Sequence, residues 1–387
     1  MYKMIALFSF LLAVACSPDA DPLALTPVQE TTPAQDTLPG FGESETHQTY
    51  SQQLGVNFTW AADNRIDGDP TFASQAFTHV RYFQMMEKDY GDGTPATSIL
   101  APCQDLDNPW SCPDLSMRQH LVRVKSLRAM FPNGIIWVAP EVLKDRSWPC
   151  KGWDVDEMGG DPQEAGYQWA KAALATYGQV GGVVLAMTNE EWCAEAGRTN
   201  AYNEWRRGII KAHRENPSCQ LAIGARHVRQ REWHGQRMPD NVNDVASDIW
   251  SYVNQIGGWA DYHAHGIEDG RFLPHDQADE AEEILDFYAW SNWLDLNYSN
   301  IKKSVGEIAY TTSEPGVVAT DAEKKADWPT YRSLVADLAT KADLVFLYQI
   351  EDHDRPEGAF SGSGIYPALM PEVEAFGNEI NERLERR

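Results

Sequence analysis

Two apolar runs in this chain end in carboxylates. Residues 183–192 read Val-Val-Leu-Ala-Met-Thr-Asn-Glu-Glu-Trp, so Asn189, Glu190 and Glu191 follow an aliphatic stretch, and residues 304–310 put Glu307 at the end of another. A carboxylate beside buried aliphatic side chains is costly unless it is paired or used, and two such places ask for a shared explanation. Two facing carboxylates can divide a substitution at an anomeric carbon. One holds a proton and gives it to the departing oxygen, while the other is ionised and attacks. Burial and a like charge favour the protonated form of the first, and a donor such as Arg81 would keep the second ionised. A separation of about 5–5.5 Å would mean retention of configuration.

Positioning such a pair takes a scaffold, and the chain repeats one pattern. Short β-rich runs occur at 55–60, 78–83, 134–140, 183–187, 220–224, 260–265, 304–310 and 344–349. Between them lie helical stretches at 117–130, at 163–177, where Tyr167, Ala170, Leu174 and Tyr177 recur at helical spacing, at 203–215, ended by Pro217, and at 276–294. Strands alternating with helices imply parallel strands and crossover helices, and eight of them fit a (β/α)8 TIM barrel, an α/β fold, with 366–387 as the closing helix. The residues at the C-terminal ends of barrel strands build the active site, and Asn189, Glu190 and Glu307 fall there.

In this order and placement the residues resemble the clan A glycoside hydrolases, TIM-barrel enzymes that include cellulases, mannanases, β-galactosidases and agarases. The resemblance spans about residues 52–380. It implies that Glu190, after Asn189 on the fourth strand, is the acid/base and that Glu307 on the seventh is the nucleophile. It also implies that Asn189 bonds the sugar 2-hydroxyl, that Arg81 lies under the nucleophile, and that His263-Ala264-His265 stands where His-x-Tyr is common, with His265 in the tyrosine place. Departures are visible: Glu191 replaces the usual Pro, Tyr348 or Gln349 stands where a stacking Trp is usual, and the third strand ends in Pro140-Glu141. Trp60, Trp137 and Trp192 are candidate sugar-stacking faces, with Trp137 equally readable as core because it is mid-strand. Tyr348 and Glu141 are further candidate substrate contacts.

Simpler explanations compete at single residues. Thr188 to Glu191 has capping-box spacing, which accounts for Glu191 better than for Glu190. Glu307 pairing with Lys302 or Lys303 would have to span several residues of one strand, which is poor geometry. A metal-dependent barrel hydrolase could draw on His263, His265, Glu268 and Asp269, with His227 and His353 as further ligands. A non-catalytic sugar-binding barrel would be expected to have lost a carboxylate, and both are present. No Gly-x-Ser-x-Gly follows a strand, and no organic cofactor motif appears, so the expected cofactor is none.

Composition bounds the partners. With 57 Asp plus Glu against 32 Lys plus Arg the formal charge is -25, which argues against nucleic acid and leaves neutral or cationic ligands, with neutral ones favoured. Fourteen Trp suit both a core and sugar rings. Residues 1–15 have the form of a secretory signal, and Leu12-Ala13-Val14-Ala15-Cys16 resembles a bacterial lipobox in which Cys16 is lipidated. Residues 16–50 read as a disordered tether: the stretch 17–50 holds five Pro, six Thr, six acidic residues and no Lys or Arg. Residues 51–387 then form the barrel domain, expected to be monomeric and either anchored at the bacterial cell envelope or secreted. Export permits disulfides among Cys103, Cys112, Cys150, Cys193 and Cys219, an odd number that leaves at least one unpaired.

Overall fold

The computed structural model describes residues 54–58, 77–87, 105, 107–108, 115–143, 161–188, 198–224, 245–264, 267–268, 271–272, 277–309, 320–348, 371–373, 375–376 and 379. All of them lie within one compact unit, Tyr50–Arg387. In chain order the elements are β1 (Leu54–Phe58), β2 (His79–Glu87), α1 (Leu115–Met130), β3 (Ile136–Leu143), α2 (Pro162–Tyr177), β4 (Val183–Ala186), α3 (Arg198–Glu215) and β5 (Gln220–Ile223). There follow α4 (Ser247–Gln255), β6 (Trp259–Ala264), the short β7 (Ile267–Glu268) and β8 (Arg271–Phe272), α5 (Gln277–Asn297), β9 (Lys302–Ala309), α6 (Asp321–Leu338) and β10 (Leu344–Tyr348).

Eight strands close a barrel in the order β1-β10-β9-β6-β5-β4-β3-β2, and every pairing in it is parallel. The α/β barrel read from the sequence is the fold. β7 and β8 form a separate antiparallel pair after β6, which sequence reading passed over because each is two residues long. Two helices were also passed over. Helix α4 has only nine residues and its first residue is preceded by Ala246, which offers no side-chain cap. Helix α6 opens with Asp, Glu and Lys and contains Pro329, yet it buries Trp328, Tyr331, Leu334, Val335 and Leu338 at helical spacing.

Two separate apolar layers hold this shape. The outer layer packs strands against helices and includes Val56, Val80, Val138, Leu185, Leu221, Tyr262, Val305 and Leu347. The inner layer fills the barrel with Ile135, Trp137, Ala139, Val184, Ala186, Ala222, Trp259, Leu344 and Phe346. Alternation along each strand sends successive side chains to these two layers. Helix α2 starts where the Asp161 carboxylate accepts from the Glu164 backbone N–H at 3.0 Å, with Pro162 at the first helical position. It lies against α3 closely enough that a side chain at Gly208 would meet the Gln163 carbonyl at 2.0 Å and one at Gly166 the Trp205 carbonyl at 2.3 Å. Beside that contact Trp169 stacks on Trp205, ring centroids 5.4 Å apart.

Strand β9 carries an irregularity that matters for the site. Val305 pairs with Tyr262 on β6 but the next pair is Glu307 with His263, and on the β10 side the register likewise slips between Val345 and Leu347. Gly306 is thus an extra residue, a β-bulge. Ser304 faces the interior, where its hydroxyl meets Asp261, while Val305 and Ile308 both belong to the outer layer. Without the bulge, strict alternation from Val305 would send Glu307 outward with it.

Candidate active site

Inside the C-terminal half of the barrel, side chains from three strands converge. Arg81 of β2 crosses to β6 and β9, where its Nη1 donates to the Glu307 carboxylate in a short ion pair. The same nitrogen lies 3.4 Å from the Gly306 carbonyl, and Nη2 donates to Asp261 Oδ2 at 3.3 Å. The side chains of Arg81, Asp261 and Glu307 are 0%, 0% and 3% exposed. Burying an ion costs several kcal/mol before any pairing, on the order of the whole stability margin of a domain, so a set like this persists only when fork and carboxylates meet well.

His263, two residues after Asp261 and therefore on the same face of β6, completes the cluster. Its Nε2 lies 3.1 Å from Asp261 Oδ2 and 3.1 Å from Arg81 Nη2. A guanidinium N–H only donates and a carboxylate only accepts, so Nε2 serves one of the two at a time, as the place of the imidazole proton dictates. The other Asp261 oxygen accepts from the Ser304 hydroxyl at 2.7 Å. Among the described residues no three His, Cys, Asp or Glu side chains are grouped as metal ligands. The guanidinium beside His263 Nε2 also puts a positive charge where a cation held by that nitrogen would sit.

The sequence singled out Arg81, His263 and Glu307, and the fold brings these three together. Asn189, Glu190, Trp60, Trp192, His265 and Cys16 lie outside the described residues. After the fourth strand Thr188 is buried, with Arg206 Nη2 3.5 Å from its hydroxyl and the Trp205 indole donating to the Met187 carbonyl at 2.7 Å. Glu141 is in β3 opposite Met85, and Tyr348 is the last residue of β10, with backbone alone described for both. Trp137 is placed in the inner layer, 0% exposed and edge-on to Trp259 and Phe346 at 5.8 Å each, so it is a packing residue rather than a face open to a sugar.

Asp261, Ser304 and Gly306 belong to the cluster and were not picked out from the sequence. The available signal was an acid two residues before a candidate histidine on the same strand face. Lys303 instead reaches Asp295 and Ser291 on α5, at 2.7 and 3.0 Å, so the competing lysine pairing for Glu307 does not form through it. Of the cysteines, Cys219 is described: it is a free, buried thiol that burial pushes up to about 12. The other candidate disulfide partners, Cys103, Cys112, Cys150 and Cys193, lie outside the described residues.

The fold and the cluster together define an all-parallel eight-stranded α/β barrel with a buried, arginine-paired glutamate near the C-terminal end of its seventh barrel strand. Solved structures share this fold. The exo-β-1,4-mannosidase Op5Man5 from Opitutaceae bacterium strain TAV5 superposes with a TM-score of 0.50 at 16% identity, covering 86% of this chain and 60% of that one. XacCel5A, solved in complex with cellopentaose, gives 0.52 at 13% identity over 84% of this chain and 99% of that one. PbGH5A, a glycoside hydrolase family 5 enzyme from Prevotella bryantii B14, gives 0.50 at 13% identity over 85% and 96%. No family model matches the sequence, and no curated protein matches it.

Proposed function

We propose that the protein is a retaining glycoside hydrolase that cleaves O-glycosidic bonds in a neutral poly- or oligosaccharide. The observation that carries this reading is Glu307, a buried carboxylate turned into the barrel and held by Arg81 on the strand where a retaining glycosidase of this fold keeps its nucleophile. The positive fork favours the ionised carboxylate, the form that attacks. The solved barrels of the same fold include an exo-β-1,4-mannosidase and a family 5 glycoside hydrolase, which supports the same class.

The reaction has two displacements. In the first, Glu307 forms a bond to the anomeric carbon, the glycosidic C–O bond breaks, and Glu190 gives its proton to the leaving oxygen. In the second, water attacks the same carbon, Glu190 takes the water proton, and the bond to Glu307 breaks, restoring both groups. Asn189 is assigned to the 2-hydroxyl, with Trp60, Trp192, His265, Tyr348 and Glu141 as candidate contacts along the cleft. Trp137 is left out of that set because it is sealed in the core.

The test is a panel of polysaccharides read by reducing-end release, beginning with β-1,4-mannans and β-1,4-glucans. Glu307→Gln is expected to lower the rate by about a thousandfold or more while glycan binding remains. Hydrolysis surviving that change would sink the mechanism, and wild-type binding without hydrolysis would point to a sugar-binding role. Lipidation at Cys16 and attachment to the cell envelope are part of the same proposal, and among the described residues no helix is long and apolar enough to cross a membrane. Cys16→Ser should move the protein from the membrane fraction to the soluble one.

A further inference from the structure

Glu307 shares Arg81 with a third carboxylate that the two displacements do not use. Asp261 is fully buried below it on β6, and both of its oxygens are engaged: Oδ2 faces Arg81 Nη2 at 3.3 Å and His263 Nε2 at 3.1 Å, and Oδ1 accepts from Ser304 at 2.7 Å. The bulge that turns Glu307 inward also makes room for this group. A side chain at Gly306 would meet the Asp261 carboxylate at 2.2–2.6 Å, so the absence of a Cβ there shapes the place in which the carboxylate sits.

We propose that Asp261 is a positioning residue: it holds one arm of the Arg81 fork so that the other stays under Glu307, and by dividing the positive charge it sets the pH at which Glu307 becomes an ionised attacker. The role of Glu307 in this statement rests on the function proposed above. On the inner face around Glu307 stand Arg81 from β2, Asp261 and His263 from β6, apolar Phe346 from β10, and, on the proposed mechanism, Glu190 after β4. A guanidinium given wholly to one carboxylate favours that anion more than one divided between two mutually repelling anions. Asp261→Asn keeps the shape and removes the charge. It should therefore slow the reaction, because the fork is less firmly held, and let Glu307 lose its proton at lower pH. A packing defect alone would do the first and not the second.

The experiment follows the carboxyl ¹³C resonance of Glu307 in the substrate-free protein, assigned by its disappearance in Glu307→Gln, alongside the acid limb of kcat/KM on an active glycan. In Asp261→Asn both are expected to move to lower pH by about half to one unit, with kcat down about tenfold or more. A folded variant whose Glu307 titration stays put or moves upward overturns the proposal. If the resonance moves and the acid limb does not, the charge sharing holds and Glu307 is not the group whose ionisation gates the reaction. Should Asp261→Asn fail to fold, Ser304→Ala gives the opposite sign. Deprived of the hydroxyl on Oδ1, Asp261 draws harder on Arg81 and the Glu307 titration moves to higher pH; no upward movement counts against the proposal.

Discussion

Arg81 and its two carboxylate partners are sealed from bulk solvent, with side chains 0%, 0% and 3% exposed. The energetic consequence is asymmetric: the assembled set sits near break-even, whereas removing one member leaves an uncompensated buried charge costing about 3–5 kcal/mol. Arg81→Met is therefore expected to lower the urea midpoint by an amount equivalent to about 3–5 kcal/mol, and a change below about 1 kcal/mol would mean that water reaches the cluster. Gly306→Ala attacks the same place differently. Its Cβ overlaps the Asp261 carboxylate, so either the bulge or the carboxylate must move, with a loss of about 1–3 kcal/mol. Because Glu307 is the next residue, the substitution should also lower kcat by more than the stability loss accounts for, measured at a temperature where the variant is fully folded.

At the scale of elements, the α2–α3 pair and the α3–β5 corner each make a testable statement. Gly208→Ala places a methyl group 2.0 Å from the Gln163 carbonyl, against backbone that cannot rotate away, and should destabilise by about 1–3 kcal/mol even though Ala is the better helix former. At the corner, His213 donates from Nε2 to the Cys219 carbonyl at 2.9 Å, so Nδ1 accepts from the Tyr252 hydroxyl at 2.8 Å and the ring is neutral. Burial holds this histidine below its ordinary value. The unfolded chain thus binds a proton that the folded one refuses, and the stabilisation present above the unfolded value near pH ~6.5 is lost as pH falls through the folded one. Denaturant midpoints should decline as the pH falls below about 6.5, with a shallower decline in His213→Gln; identical slopes would refute the assignment.

For the whole molecule, the compact unit Tyr50–Arg387 contains every described element. The composition of residues 17–50, with five Pro, six Thr and no Lys or Arg, predicts that this segment contributes nothing to folding. A chain starting at residue 51 is expected to unfold at the same denaturant concentration as the full chain, and a lowered midpoint would show that the acidic segment packs on the barrel. The order of strands was legible throughout because each strand of a parallel barrel is buried on both faces and so appears as a short aliphatic run, such as 183–187 and 344–348. Helices α4 and α6 were harder, one being short and uncapped and the other opening with charges around an internal Pro329.

By itself the sequence determined the eight-strand repeat and which strand ends carry chemically capable residues, because burial on a barrel strand demands apolar composition that polar strand ends interrupt visibly. Glu307 was found that way, and Arg81 and His263 by the resemblance to the clan A glycoside hydrolases. What tertiary structure alone decided is direction and sharing. The bulge at Gly306 turns Glu307 inward against the alternation of its own strand, and the meeting of three strands gives Arg81 two carboxylates to hold instead of one. Trp137 shows the same limit from the other side: a mid-strand aromatic suits a core and a sugar equally until its neighbours Trp259 and Phe346 close around it. Register and cross-barrel contacts depend on residues far apart in the chain, so no local pattern contains them.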